Sequence, residues 1–166
     1  MELLDISIAL GDNKTPVASL FDDKRLIGKT GIEHVYNSTG STQELALRAT
    51  AALTSYDKGK IGMSILVTQT PDDFLPSGAI GISDCLGLPQ NILSFDINQG
   101  CSGFVQALVL VNSLVAAHGN ILVITADRYR SKLNPDDRAT NAVFSDGASA
   151  SVWGAGSNKK ILFEKH

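Results

Sequence analysis

The run Asp96-Ile-Asn-Gln-Gly-Cys101-Ser-Gly-Phe104 carries a thiol out of an apolar strand pattern and into an apolar stretch of helix length. The first N–H groups of a helix have no partner within it and carry the positive end of its dipole. A thiolate placed there is stabilised, its pKa falls below the free value of roughly 8.5, and it becomes a nucleophile. An inert cysteine fits the same spacing, because free cysteine is among the most buried residue types. On the residues alone the two readings stand side by side.

Few other residues offer chemistry of this kind. Cys85 and Cys101 are the two cysteines, and with His34, His118 and His166 they show no metal-ligand spacing. They allow at most one disulfide, and reduced thiols are expected. The chain of 166 residues carries a net charge of −3, and its 14 Lys and Arg form no run that tracks a phosphate backbone, which argues against nucleic acid as a partner. The apolar stretch from Phe104 to Val111 is broken by Gln106 and falls short of the ~20 residues of a membrane span. Met1-Glu-Leu-Leu-Asp5 lacks the basic start of a signal peptide, so no membrane and a cytoplasmic location are expected. With 43% apolar and 19% charged residues, one folded domain over 1–166 is the natural reading.

The elements that must hold the thiol read as an α/β layered fold, with apolar runs of strand length alternating with helical segments. Strands are predicted at Leu3–Leu10, Ile61–Thr68, Ile92–Ile97, Ile121–Ala126, Ala148–Gly154 and Ile161–Phe163. Ile61–Thr68 is near-continuously apolar, as in a strand covered on both faces. Gly31–Tyr36 alternates and suits a short edge strand or an extended loop. Ser41-Thr-Gln-Glu44 is a capping box that opens a helix over 42–56, and Ser77–Leu86 is a second, short helix. Thr70–Pro76 reads as a loop and Asp127–Thr140 as a polar excursion. The helix from Cys101 to about His118 is apolar nearly all round, so it is expected to be buried between layers.

Four segments then resemble, in order and spacing, the first half of β-ketoacyl-acyl-carrier-protein synthase III and its thiolase-superfamily relatives. They are Lys29-Thr-Gly-Ile32, Phe74-Leu-Pro-Ser77, Asp96 to Phe104, and Asp137-Arg-Ala-Thr140 with Phe144-Ser-Asp-Gly-Ala148. The resemblance implies a thiolase-like αβα half with a mixed, mainly parallel sheet and a buried helix beginning at the nucleophilic cysteine. It implies that Cys101 accepts an acyl group from a thioester before condensation with malonyl-acyl carrier protein, in fatty-acid or polyketide-like synthesis. A backbone N–H at the nucleophile would help hold the oxyanion. Gly100 and Gly103 would let the acyl group approach closely, and Gly103 serves tight helix packing equally well. No cofactor is implied; the substrates are acyl-CoA or acyl-carrier-protein thioesters.

The resemblance also implies substrate contacts at Arg25, Lys29, Leu75 and Arg138. Arg138 agrees with the family's adenine-flanking arginine, whereas Arg25 stands in place of an aromatic ring and Lys29 in place of arginine, losing the planar fork. An acyl-carrier-protein donor therefore stands beside coenzyme A. Leu75 matches a position that crosses a dimer interface to line the partner's acyl pocket; the alternative is that Leu75 or Phe74 plugs a core under its loop. Asp146 is read as organising its turn. The resembled enzymes are about twice as long and take a histidine and an asparagine from their second half. This chain is expected to be a piece of a longer one, with a complementing second polypeptide or a homodimer as alternatives. Alone it should expose apolar surface. The competing function is a non-catalytic scaffolding or heterodimerising subunit of the same fold.

Overall fold

The computed structural model describes residues 1–20 and 24–156, without the side chains of 24–26, so the strand expected at Ile161–Phe163, His166 and the Arg25 side chain lie outside the described residues. In chain order the elements are β1 (Glu2–Leu10), β2 (Asn13–Pro16), α1 (Val17–Leu20), α2 (Lys24–Thr30), β3 (His34–Asn37), α3 (Thr42–Ala51), β4 (Ile61–Val67), α4 (Gly78–Cys85), β5 (Leu93–Ile97), α5 (Gly103–His118), β6 (Asn120–Asp127), α6 (Arg138–Asn141) and β7 (Gly147–Gly154). A main sheet runs in the order β1-β7-β6-β4-β5. It is mixed: β4 pairs in parallel with β5 and β6, while β7 pairs antiparallel with β6 and β1.

Successive side chains of a strand point to opposite faces, and this alternation divides the core into two layers. Leu66, Leu122, Ile124, Ala150 and Val152 join Leu45, Ala49, Ala79 and Ile82 of α3 and α4 on one face. Met63, Ile65, Val67, Ile121 and Val123 join Ala107, Val111 and Val115 of α5 on the other. Ile61 breaks the parity. Odd-numbered like Met63, it packs with the α3 face, because the β4 register shifts between Ile61 and Met63 at Gly62. The layered α/β arrangement expected from the sequence is present.

Helix α3 starts as its sequence predicts. Ser41 Oγ accepts from Glu44 N at 3.0 Å and Glu44 Oε2 accepts from Ser41 N at 2.7 Å. Asp72 takes the next two donors, Thr42 N at 2.9 Å and Gln43 N at 2.8 Å, so the orphan N–H groups of this end are met. Ser41→Ala is expected to cost about 1 kcal/mol, read as a lowered urea midpoint at unchanged slope. The helix ends at Ala51, five residues before the predicted end, with Ala52 as its C-cap.

Two expectations are corrected. Asn13–Pro16, where no strand is predicted, forms β2 and pairs antiparallel with β3 in a small second sheet. Helix α5 is not buried all round: Gly103, Ala107, Val111 and Val115 face the sheet, while Val105 is 56% and Val109 40% exposed. Its apolar outer face therefore has no cover among the described residues. Gly100–His118 is long and apolar enough to cross a membrane by length and composition, beyond what Phe104–Val111 suggests, yet its inner side packs along β4 and β6 as a core helix does. On the same side of the sheet Ile6, Ile8 and Leu10 of β1 are exposed, Ile8 at 67%.

Candidate active site

Cys101 sits in a 3-10 turn, Gly100–Ser102, that links β5 to α5, so the α-helix itself begins two residues later than the sequence suggests. The turn is closed by Gln99 O, which accepts from Ser102 N at 3.2 Å and from Ser102 Oγ at 2.8 Å. Gly100 has φ +52°, a left-handed conformation that a side chain would strain. Gly103 is there for packing: a Cβ on it would stand 2.6 Å from Val67 Cγ1. Asp96, at the head of the motif, holds a different element. Its oxygens accept from Gly78 N at 2.7 Å and Ala79 N at 2.8 Å and so cap α4.

The Cys101 thiol is exposed and opens on a cavity of about 340 Å³. Val67 and Phe104 supply apolar wall; Gln69, Thr125, Asp127 and Ser149 supply polar wall. Thr125 and Ser149 lie side by side on β6 and β7, their hydroxyls 2.8 Å apart. Asp127 Oδ1 accepts from Thr68 Oγ1, Gln69 N, Thr70 N and Thr70 Oγ1 at 3.1, 2.7, 3.1 and 3.1 Å. Thr70 Oγ1 in turn accepts from Arg128 N at 2.8 Å. An exposed thiol on a half-polar cavity at the strand ends has room for a substrate carbonyl beside it, which is what attack on a thioester requires.

The other sequence-expected residues do not gather there. Lys29 is exposed in the last turn of α2, and Arg138 is exposed at the first position of α6; neither lines the cavity. Asp137 caps α6, and the hydroxyl and N–H of Thr140 hold its carboxyl below the ordinary carboxylate range. Leu75 and Phe74 are 88% and 91% exposed, so neither plugs a core beneath the loop. His34 lies in β3 and His118 at the end of α5, away from the cavity wall. Among the described residues no three His, Cys, Asp or Glu side chains gather in a way that would hold a metal ion. Asp146 organises its surroundings as read: fully buried, it accepts from Ser38 N at 2.7 Å and Arg130 N at 2.9 Å. Gln69, Thr125, Asp127 and Ser149 went unread, because only strand pairing brings them together.

Residues 95–165, which include the whole Cys101 turn and α5, match the family model described as 3-Oxoacyl-[acyl-carrier-protein (ACP)] synthase III. Over most of its length the chain is similar to β-ketoacyl-acyl-carrier-protein synthase III. It is 40% identical over 139 residues to the Beta-ketoacyl-[acyl-carrier-protein] synthase III of Clostridium perfringens, covering 78% of this chain and 42% of that one. It is 38% identical over 140 residues to synthase III 5 of Streptomyces coelicolor, covering 82% and 42%. A crystal structure of a 3-oxoacyl-(acyl-carrier-protein) synthase III superposes with a TM-score of 0.89 at 31% identity, covering 95% of this chain and 51% of that one. The Pseudomonas aeruginosa synthase III superposes with a TM-score of 0.84 at 29% identity, covering 93% and 50%. The chain thus spans about two fifths of the length of the curated relatives it matches and about half of the solved ones.

Proposed function

We propose that this chain is the acyl-accepting part of a synthase III-type condensing enzyme, with Cys101 as its nucleophile. The single observation that carries the reading is the exposed Cys101 thiol at the mouth of a cavity, set in the turn between β5 and α5 within the family-matched residues. The Cys101 thiolate attacks the carbonyl of an acyl-CoA or acyl-carrier-protein thioester. The tetrahedral intermediate collapses with loss of the donor thiol, which takes up a proton, and the acyl group remains on Cys101. In the second stage malonyl-acyl carrier protein loses carbon dioxide. The resulting carbanion attacks the acyl-cysteine carbonyl, and the Cys101 thiolate leaves.

That second stage needs hydrogen-bond donors for the developing enolate. Among the described residues those lining the cavity include no histidine or asparagine. A second segment supplying them, seated on the uncovered outer face of α5 and on Ile6, Ile8 and Leu10, fits both the chemistry and the exposed apolar surface. A cytoplasmic setting and a homodimer in which Leu75 reaches the partner's pocket belong to the same reading, as do Arg25, Lys29 and Arg138 as donor contacts. The same exposed surface favours, as the second reading, a non-catalytic scaffolding subunit that pairs through it.

Intact mass after incubation with acyl-CoA, or with acyl-carrier protein in a parallel arm, decides between them. The expected result is one acyl adduct that survives Cys85→Ser and vanishes in Cys101→Ala. No adduct from either donor, in the presence of a complementing second segment, overturns the catalytic reading in favour of the scaffold.

A further inference from the structure

We propose that Asp127 is a positioning residue: through the segment 68–70 it fixes Gln69 as part of the cavity wall beside the Cys101 turn, and so sets how well the site holds the acyl group. The proposal rests on the reading of Cys101 as acyl acceptor. A carboxylate offers about four lone-pair sites over two oxygens, yet four donors from three consecutive residues converge on Oδ1 alone. The segment they hold follows β4, where the ladder to β5 ends with Thr68 N donating to Ile97 O at 3.1 Å. Thr68 and Thr70 are buried with their hydroxyls on Asp127, so the residue between them, Gln69, is turned outward. Its Oε1 stands 3.7 Å from where a Cβ on Gly100 would be, beside the thiol-bearing turn. The hub and the wall lie on one cavity with Cys101.

Position and charge are separable by substitution. Asp127→Asn keeps an acceptor at Oδ1 and removes the charge; Asp127→Ala removes both; Gln69→Ala removes the wall and leaves the hub. In a Cys85→Ser background, Cys101 labelling by N-methylmaleimide and by N-octylmaleimide is followed by mass across neutral pH. The native chain is expected to label faster with the octyl reagent, and Asp127→Asn to keep that preference. Asp127→Ala and Gln69→Ala are each expected to cut the octyl-to-methyl ratio about tenfold, as a wall displaced by about 1 Å would, with the methyl rate and its pH midpoint unchanged. A purely structural role moves the melting temperature and leaves the ratio alone. If Asp127→Ala does not fold, Gln69→Ala decides. The proposal is overturned if the native chain shows no octyl preference, if the alanine variants keep it, or if Asp127→Asn loses it with a shifted pH midpoint. Maleimides label the thiol whether or not a thioester does, so a missing acyl adduct with these ratios as expected refutes the acyl-acceptor reading and spares the positioning role.

Discussion

Gly62→Ala is expected to destabilise the fold by about 3 kcal/mol, the upper part of the range for overpacking. A Cβ at this position would stand 1.6 Å from the backbone oxygen of His118 and 2.8 Å from its carbonyl carbon. A flexible side chain would move aside; this carbonyl belongs to the last residue of α5, which is anchored along the sheet by Val111 and Val115. The glycine is also the irregular residue of β4, the one passed over between the pairings Ile61 with Asn120 and Met63 with Ile121. Relieving the clash means moving the end of α5 or the bulge that sends Ile61 to the other core layer. Against a total of about 5–15 kcal/mol the loss is large, and a fall in melting temperature of about 10 °C is the expected reading. Gly28→Ala is the control: nothing lies within 4 Å of a Cβ there, and it should leave the melting temperature at or slightly above the native value.

The second large effect is expected at Asp146. Its two oxygens satisfy Ser38 N and Arg130 N, its own N–H donates to Tyr36 O at 2.8 Å, and its carbonyl accepts from Gly11 N at 3.1 Å. One fully buried residue thus ties the end of β3, the turn after β6 and the end of β1 to the start of β7. Asp146→Ala leaves one buried and one half-buried donor unmet, at about 1–3 kcal/mol each, and a total near 3 kcal/mol is expected from urea unfolding. Asp146→Asn, which keeps one acceptor, should lose less. Because the contacts concern the small β2–β3 sheet, amide exchange in Asn13–Pro16 and His34–Asn37 should accelerate more than exchange in β4. Equal acceleration throughout would place the loss in the core.

The parts of this fold that were legible in the sequence are those governed by short-range rules. The Ser41-to-Glu44 capping box forms as written, and the apolar runs of β4 and β6 are the strands buried on both faces. The helix after Cys101 was legible, two residues early, from the change of an apolar strand run into an apolar helical stretch, whereas the acyl-accepting reading of the thiol came from the resemblance and not from the residues alone. What was missed depends on pairing at a distance. Asn13–Pro16 has no apolar alternation and includes a proline, and it becomes a strand only because β3 lies beside it. Thr125 and Ser149 meet through the β6–β7 ladder, and Asp127 reaches its four donors because parallel pairing sets the C-terminal ends of β4 and β6 side by side. The shape of the outer α5 face was misread for a related reason: an all-round apolar helix needs cover on both sides, and the described residues provide it on one.

The pairing of β1 with β7 joins Glu2 to Gly154 and Leu10 to Gly147, so the edge of the main sheet closes between opposite ends of the described chain. Such a contact adds little to the entropy of closure, which grows only with the logarithm of loop length, but it slows folding, because it forms after most other contacts. The order of events is therefore set by translation. The parallel unit of β4, β5 and β6 with α4 and α5 contains only local crossovers and can assemble as it leaves the ribosome. The first strand cannot dock until β7 has followed it out, on the order of ten seconds later at ordinary synthesis rates. During that interval Ile6 and Ile8 sit on an unpaired apolar strand, the kind of segment that holdase chaperones bind and that aggregates when they do not.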